Sequence, residues 1–125
     1  MIQSEFLFIE ASSLILLDLY RFGNAMHSRL DNARPLKDIA VQVINGIEVV
    51  IANGNGVSLS STFDPSKRNT WKLAKSTPLP VGLSLVSDLR PGRQDHFLLA
   101  PSMNMPLVKY IGLLQELALR CVKIN

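Results

Sequence analysis

The chain has 125 residues, of which 47% are hydrophobic, and a formal net charge of +3. This composition excludes a disordered segment and leaves room for one buried core, so we expect a single domain over residues 1–125. The thirteen lysines and arginines form no block of like charges, so the basic balance does not by itself indicate a nucleic-acid partner.

Cysteine content and the N-terminal pattern bear on the compartment. The single cysteine, Cys121, excludes an internal disulfide, and we expect it to fill the core on a terminal helix. The apolar N-terminal stretch contains Glu5 and Glu10 and lacks a leading basic cluster, unlike a secretory signal. The apolar run 14–17 is too short to span a bilayer. We therefore expect action in a reducing compartment such as the cytoplasm, no membrane partner, and any delivery to other cells without a cleaved signal peptide.

The first part of the chain predicts short elements. Residues 5–10 are interpreted as a short helix or an edge strand, and residues 14–22 as a strand. Segment 24–35 is polar and rich in turn-forming residues. Segment 36–45 has the spacing of a short helix with Gly46 as its C-cap, although its β-branched residues weaken that pattern.

The remainder predicts further strands and one helix. A strand over 47–51 is followed by Asn53-Gly54-Asn55-Gly56 and then by the alternating segment 57–60. Because Asn-Gly is the strongest short turn signal, residues 47–60 predict a hairpin. Short strands are predicted at 71–73, 83–86 and 97–99, and a loop at 64–69. Pro106 marks the start of a helix with one apolar face, which makes the chain an α+β domain of short strands.

Tyr20 and Arg21 stand together where the apolar run ends, just before Gly23. Arginine is suited to a bidentate grip on phosphate or carboxylate, and tyrosine offers a flat face and a hydroxyl. The pair could form one wall of a pocket for an anionic ligand with an aromatic group, such as a nucleotide. The alternative is that Arg21 reaches solvent over an ordinary core tyrosine.

Hydroxyl groups cluster on the predicted strand that follows Gly56. Ser58 and Ser60 lie two residues apart and therefore face the same side, with Ser61 and Thr62 just beyond. Such hydroxyls can orient a ribose or hold a carboxylate, and the alternative is a plain solvent-facing edge. His96 is interpreted either as a ligand contact or as a strand-edge histidine bonded to the backbone.

The sequence lacks the motifs of several common metal, nucleotide and hydrolase sites. One cysteine and two histidines do not provide the spacings of a zinc site, so no metal is expected. Neither a phosphate-binding loop nor a dinucleotide fingerprint is present, and the sequence after Gly56 does not form a nucleophile elbow.

Four stretches occur in the same order and at similar spacing in one known toxin family. They are LYR (19–21), GVSLSSTFD (56–64), TPLPVGL (77–83) and DHFLLAPSMNMP (95–106). The chain resembles the ADP-ribosyltransferase-like toxins typified by the second type VI secretion effector toxin. The resemblance extends from about Leu16 to Leu117.

This resemblance implies the split β-sandwich of ADP-ribosyltransferases and a cytotoxic effector that binds NAD. It implies that Arg21, with Tyr20 beside it, contacts NAD, and that Ser58 and Ser60 position the nicotinamide ribose, or Ser61 and Thr62 if the register is shifted. It also places His96 as a ribose or ligand contact. The enzyme would transfer ADP-ribose to an intracellular target, and bacterial members of the family are neutralised by a cognate immunity protein.

A carboxylate is expected near the ribose, because positive charge develops there as nicotinamide leaves. Many transferases of this fold carry a glutamate on a late strand, but here no glutamate lies between Glu48 and Glu116. The candidate catalytic acids are therefore Asp88 and Asp95.

Two other functions stay open. One is a non-catalytic protein-binding module of the same fold, with a vestigial cleft. The other is a small RNA-directed toxin that uses Arg21, His96 and scattered lysines. The lack of aromatic residues interleaved along a basic strand argues against RNA.

Overall fold

The computed structural model describes residues 11–12, 14–35, 37–88 and 91–125, and segment 5–10, predicted as a short helix or edge strand, lies outside them. The elements in chain order are β1 (Ala11–Ser12), β2 (Leu19–Phe22), β3 (Ala40–Ile44), β4 (Ile47–Ile51), β5 (Val57–Ser60), β6 (Thr70–Leu73), β7 (Leu83–Ser87), β8 (His96–Pro101), β9 (Met105–Pro106), α1 (Leu107–Ala118) and β10 (Val122–Lys123). This arrangement confirms the predicted α+β class.

The strands form two sheets. The larger has the order β1-β7-β8-β5-β2-β6-β10, and the smaller has the order β3-β4-β9. Neighbouring strands in both sheets are antiparallel. Strand β5 lies near the middle of the larger sheet and alternates cleanly, with Val57 and Leu59 buried and Ser58 and Ser60 half-exposed, which places the serine hydroxyls on the face away from the core.

Helix α1 covers the core as its apolar pattern predicts. It begins directly after Pro106, whose missing N–H is of no consequence at a helix start, and it buries Tyr110, Leu114 and Leu117. The Tyr110 hydroxyl donates to the Leu99 carbonyl on β8 at 2.7 Å. Cys121 is buried as predicted, but it lies beyond the end of the helix. In the described part of the chain no helix is both long and apolar enough to cross a membrane.

The predicted helix over 36–45 is wrong. Residues Ala40–Ile44 form strand β3, which pairs with β4 over all five of its residues. Asn45 and Gly46 connect the two strands with φ angles of 52° and 78°, the left-handed conformation that a tight two-residue hairpin needs. The β-branched side chains and this turn therefore outweigh the helical spacing.

The predicted hairpin over 47–60 is also wrong. Strand β4 belongs to the smaller sheet and β5 to the larger one, so residues 52–56 carry the chain between sheets. Gly56 is required for a different reason, because a Cβ there would collide with the Leu99 carbonyl group of β8. The glycine allows close approach of two strands instead of a reversal.

The remaining predicted strands agree better with the observed strand boundaries. The strands predicted at 71–73, 83–86 and 97–99 are confirmed, as is the loop over 64–69. The strand predicted over 14–22 is confined to Leu19–Phe22, preceded by an isolated bridge between Leu14 and Pro78.

Candidate functional site

A cavity lies at the point where β2 and β5 meet. Within these two strands one residue pair, Tyr20 with Ser60, is in register. A cavity of about 360 Å³ adjoins this pair, and its lining includes five of the residues predicted from the sequence. They are Tyr20, Arg21, Ser58, Ser60 and His96.

The sheet register explains why three of these residues meet. Ser60 of β5 is opposite Tyr20 of β2 on one side and opposite His96 of β8 on the other. Residues directly opposite one another in an antiparallel sheet share a face, and Ser58 joins that face because it is two residues from Ser60. The predicted hydroxyls, tyrosine and histidine therefore form one surface.

Arg21 lies one residue further along β2, and its guanidinium reaches across to β5. Its Nη1 donates to the Ser58 carbonyl at 2.9 Å, and its Nη2 donates to the Arg29 carbonyl at 3.0 Å. Burial lowers the pKa of Arg21, and the cations Arg34 and Arg29 lower it further, while Asp38 acts in the opposite direction. An arginine nonetheless stays protonated at neutral pH, so a positive charge lies in the cleft wall.

Asp95 is connected to the serine surface. Its Oδ2 accepts from the Ser60 hydroxyl at 3.3 Å, and its main-chain carbonyl accepts from the Ser61 hydroxyl at 3.3 Å. The pKa of Asp95 lies below its ordinary value, chiefly because the Thr62 side chain donates a hydrogen bond to it. Asp95 is therefore a carboxylate at neutral pH, positioned by hydroxyl groups from β5 and the residues that follow it.

Asp88 lies in a different environment. Its side chain is fully buried and lies 3.8 Å from Arg93 Nη1. Its amide donates to the His96 carbonyl at 3.1 Å, so its backbone adjoins the site, but Asp88 is not among the residues that line the cavity. Asp95 is not among the lining residues either, but its carboxylate accepts a hydrogen bond from one of them, Ser60.

His96 has one nitrogen near Asp95 and one without a partner. Its Nε2 lies 3.7 Å from Asp95 Oδ1, and its Nδ1 is buried with no hydrogen-bond partner among the described residues. A buried unsatisfied ring nitrogen is unfavourable unless something else bonds to it. Arg21 Nε is buried and without a hydrogen-bond partner among the described residues in the same way, so the site contains two unsatisfied polar groups.

Sequence reasoning missed several residues of the lining. Arg29, Asn32 and Arg34 come from the polar segment after β2, and Phe22 and Leu59 come from the strands themselves. Phe22 could have been found from the alternation of β2, since it shares a face with Tyr20. The three loop residues carry no spacing signal, because an irregular loop does not fix which side chains turn inward.

The two aromatic residues of the cavity lining, Tyr20 and Phe22, each contact a neighbouring side chain. The Tyr20 and Phe63 rings lie 5.5 Å apart between centroids, and Lys67 Nζ lies 5.0 Å from the Phe22 ring centroid. In the described residues no cluster of three or more histidine, cysteine or acidic side chains could hold a metal ion.

The chain belongs to the Tse2 ADP-ribosyltransferase toxin family. The model of this family matches residues 18–124, which include the cavity-lining strands β2, β5 and β8. The resemblance noted in the sequence is thereby confirmed. Neither the curated proteins nor the solved structures contain a match to the chain.

Proposed function

We propose that the protein is an effector toxin that binds NAD in the cleft between β2 and β5 and transfers ADP-ribose to a target in the cytoplasm. The observation that carries the proposal is the convergence of Tyr20, Arg21, Ser58, Ser60 and His96 on one cavity. Membership of an ADP-ribosyltransferase toxin family supports this reaction and a split β-sandwich as the fold.

The donor groups of the cleft suit a dinucleotide. Three arginines line the cavity and would attract the two phosphates, while two serine hydroxyls and a histidine suit a ribose. A volume of about 360 Å³ lies near the lower end of ligand pockets, so the cavity would enclose only part of NAD.

Asp95 is the residue that we assign to electrostatic catalysis. NAD supplies the ADP-ribosyl group, whose bond to nicotinamide breaks with the electron pair leaving on the ring nitrogen. The Asp95 carboxylate, ionised because its pKa is lowered, would stabilise the positive charge that develops on the ribose. Ser60, bonded to Asp95 at 3.3 Å, would hold that carboxylate in place. A nucleophile of the target forms the new bond to the ribose and loses its proton.

The family also suggests partners. Its name points to type VI secretion as a delivery route and to a cognate immunity protein as the inhibitor. We propose both for this chain.

The test compares binding and turnover in matched variants. Wild-type protein should bind NAD saturably by calorimetry and release nicotinamide. Asp95→Asn preserves the shape of the side chain but removes its charge, so it should retain NAD binding and lose about a hundredfold in nicotinamide release. Ser84→Ala, a hydroxyl deletion on β7 outside the cavity lining, serves as the control and should change neither quantity.

The alternative functions give different results. An absence of saturable NAD binding by the folded wild-type protein contradicts the proposal. RNA binding that weakens as salt increases would then indicate an RNA-directed toxin, and binding of neither ligand would favour a protein-binding module.

A further inference from the structure

We infer that Arg29, and not Arg21, contacts the diphosphate of the bound dinucleotide, and that Arg21 is a positioning residue that holds Arg29 in place. This inference rests on the proposed function, because it assigns the anion-binding role within the same cleft.

The hydrogen bonds of Arg21 are directed at the protein itself. Both terminal nitrogens donate to main-chain carbonyls, Nη1 to Ser58 and Nη2 to Arg29, at 2.9 and 3.0 Å. The third nitrogen, Nε, has no hydrogen-bond partner among the described residues, but it is buried and so is not exposed to an anion in the cavity. A bidentate grip on phosphate needs two adjacent N–H groups on one open edge of the guanidinium. The two terminal nitrogens of Arg21 join β5 to the loop after β2. Arg21 therefore contributes positive charge to the cleft and does not offer an open edge for a bidentate contact.

The guanidinium of Arg34 forms an ion pair with Asp38. Its Nε and Nη2 donate to the two carboxylate oxygens of Asp38 at 3.1 and 3.2 Å, and its amide donates to the same carboxylate at 2.7 Å. The charge of Arg34 is therefore compensated by an adjacent acid. A phosphate would have to compete with that carboxylate for the same edge.

Arg29 is the remaining arginine of the cavity lining. Its side chain is exposed, and among the described residues its guanidinium has neither a hydrogen-bond acceptor nor an acid in contact. It is thus the arginine whose full fork is open to an anion.

The backbone of Arg29 is held in an unusual conformation. Its φ is 61°, in the left-handed region that residues other than glycine adopt rarely. Its carbonyl accepts from Arg21 Nη2 at 3.0 Å and from the Asn32 amide at 3.1 Å. A strained residue persists when its surroundings over-determine it, and such residues cluster at ligand sites. The Arg21 bond therefore sets the position from which the Arg29 side chain enters the cavity.

The primary experiment uses inorganic pyrophosphate as the probe, with NAD in parallel, in calorimetric titrations. Arg29→Met removes the charge but keeps an unbranched chain, and it should weaken binding of both probes about tenfold or more. Arg29→Lys keeps a point charge and should recover part of that loss. Arg68→Met, at an exposed arginine outside the cavity lining, is the matched control and should bind both probes as the wild type does.

A double-mutant cycle separates the roles of the two arginines. Arg21→Lys keeps the charge but cannot bridge two carbonyls with a planar fork, so it should weaken pyrophosphate binding in the wild-type background. In the Arg29→Met background it should cause no further loss, because it acts through Arg29. Equal losses in both backgrounds would mean that Arg21 contacts the anion itself, which overturns the assignment.

A measurement on the unaltered protein covers the case in which Arg21→Lys fails to fold. In a nuclear magnetic resonance titration with pyrophosphate, the side-chain N–H signals of Arg29 should shift more than those of Arg21. A larger shift at Arg21 overturns the assignment.

The outcomes distinguish this inference from the function on which it rests. NAD binding that is unchanged by Arg29→Met overturns the assignment and leaves the proposed function standing. Pyrophosphate binding that depends on Arg29, without any binding of NAD, supports the anion site and overturns the proposed function. Binding of neither probe by the wild type overturns both.

Discussion

Replacing Tyr110 by phenylalanine should destabilise the protein through a single hydroxyl group. Tyr110 is fully buried, and its hydroxyl donates to the Leu99 carbonyl at 2.7 Å and accepts from the Val57 amide at 3.4 Å. Burial raises the pKa of Tyr110, so the group stays a donor. Losing the two hydrogen bonds of the hydroxyl should cost about 1 kcal/mol each.

The expected total is therefore about 2 kcal/mol in the free energy of unfolding. With an unfolding entropy of about 2.1 cal/mol/K per residue over 125 residues, this loss corresponds to a Tm about 8 °C lower. Calorimetry and denaturant titration measure both quantities. Tyr20→Phe is the matched control, because Tyr20 is half-exposed, and it should change the unfolding free energy by less than about 0.5 kcal/mol. A Tyr110→Phe protein as stable as this control would refute the reasoning.

Two further predictions test close packing and burial. Gly56→Ala should lower the free energy of unfolding by more than about 2 kcal/mol, because the new Cβ would collide with the Leu99 carbonyl. Gly112→Ala, with open space around it in α1, should instead raise the free energy of unfolding by about 0.5–1 kcal/mol. Equal denaturation midpoints of the two variants would contradict this contrast. Burial raises the pKa of the Cys121 thiol to about 11, so at pH 8 about one thiol in a thousand is ionised. Alkylation by iodoacetamide, followed by mass spectrometry, should therefore be slow in buffer and fast in denaturant. Equal rates in the two conditions would be the contrary result.

Local sequence patterns correctly predicted those elements whose structure depends mainly on their own residues. The alternation at 57–60 and the apolar face after Pro106 each predicted the observed element. The helix prediction for 36–45 was wrong because Leu36, Ile39, Val43 and Ile44 recur at helical spacing, although Ala40–Ile44 forms a strand. Its structure is decided by pairing with β4 through a left-handed turn, a tertiary effect that outweighs spacing.

Several residues of the cavity lining were predictable from the sequence, but their assembly into one cavity was not. Tyr20, Arg21, Ser58 and Ser60 were identifiable from adjacency and period-two spacing. Their meeting depends on a contact between residues 37 positions apart in the chain, which no local pattern encodes. Arg29 could not be identified, since its place in the cavity comes from a loop held by Arg21 and by a left-handed backbone.

Because β2 and β5 are paired at one residue pair only, the larger sheet consists of two blocks of strands that are weakly joined at this point. One block is β1-β7-β8-β5 and the other is β2-β6-β10, and at their seam they share the pair Tyr20–Ser60 and the bond from Arg21 to Ser58. A molecule lying across this seam would fasten the two blocks together. Binding of such a molecule would therefore add contacts between the two blocks and would make the occupied protein a stiffer body than the empty one.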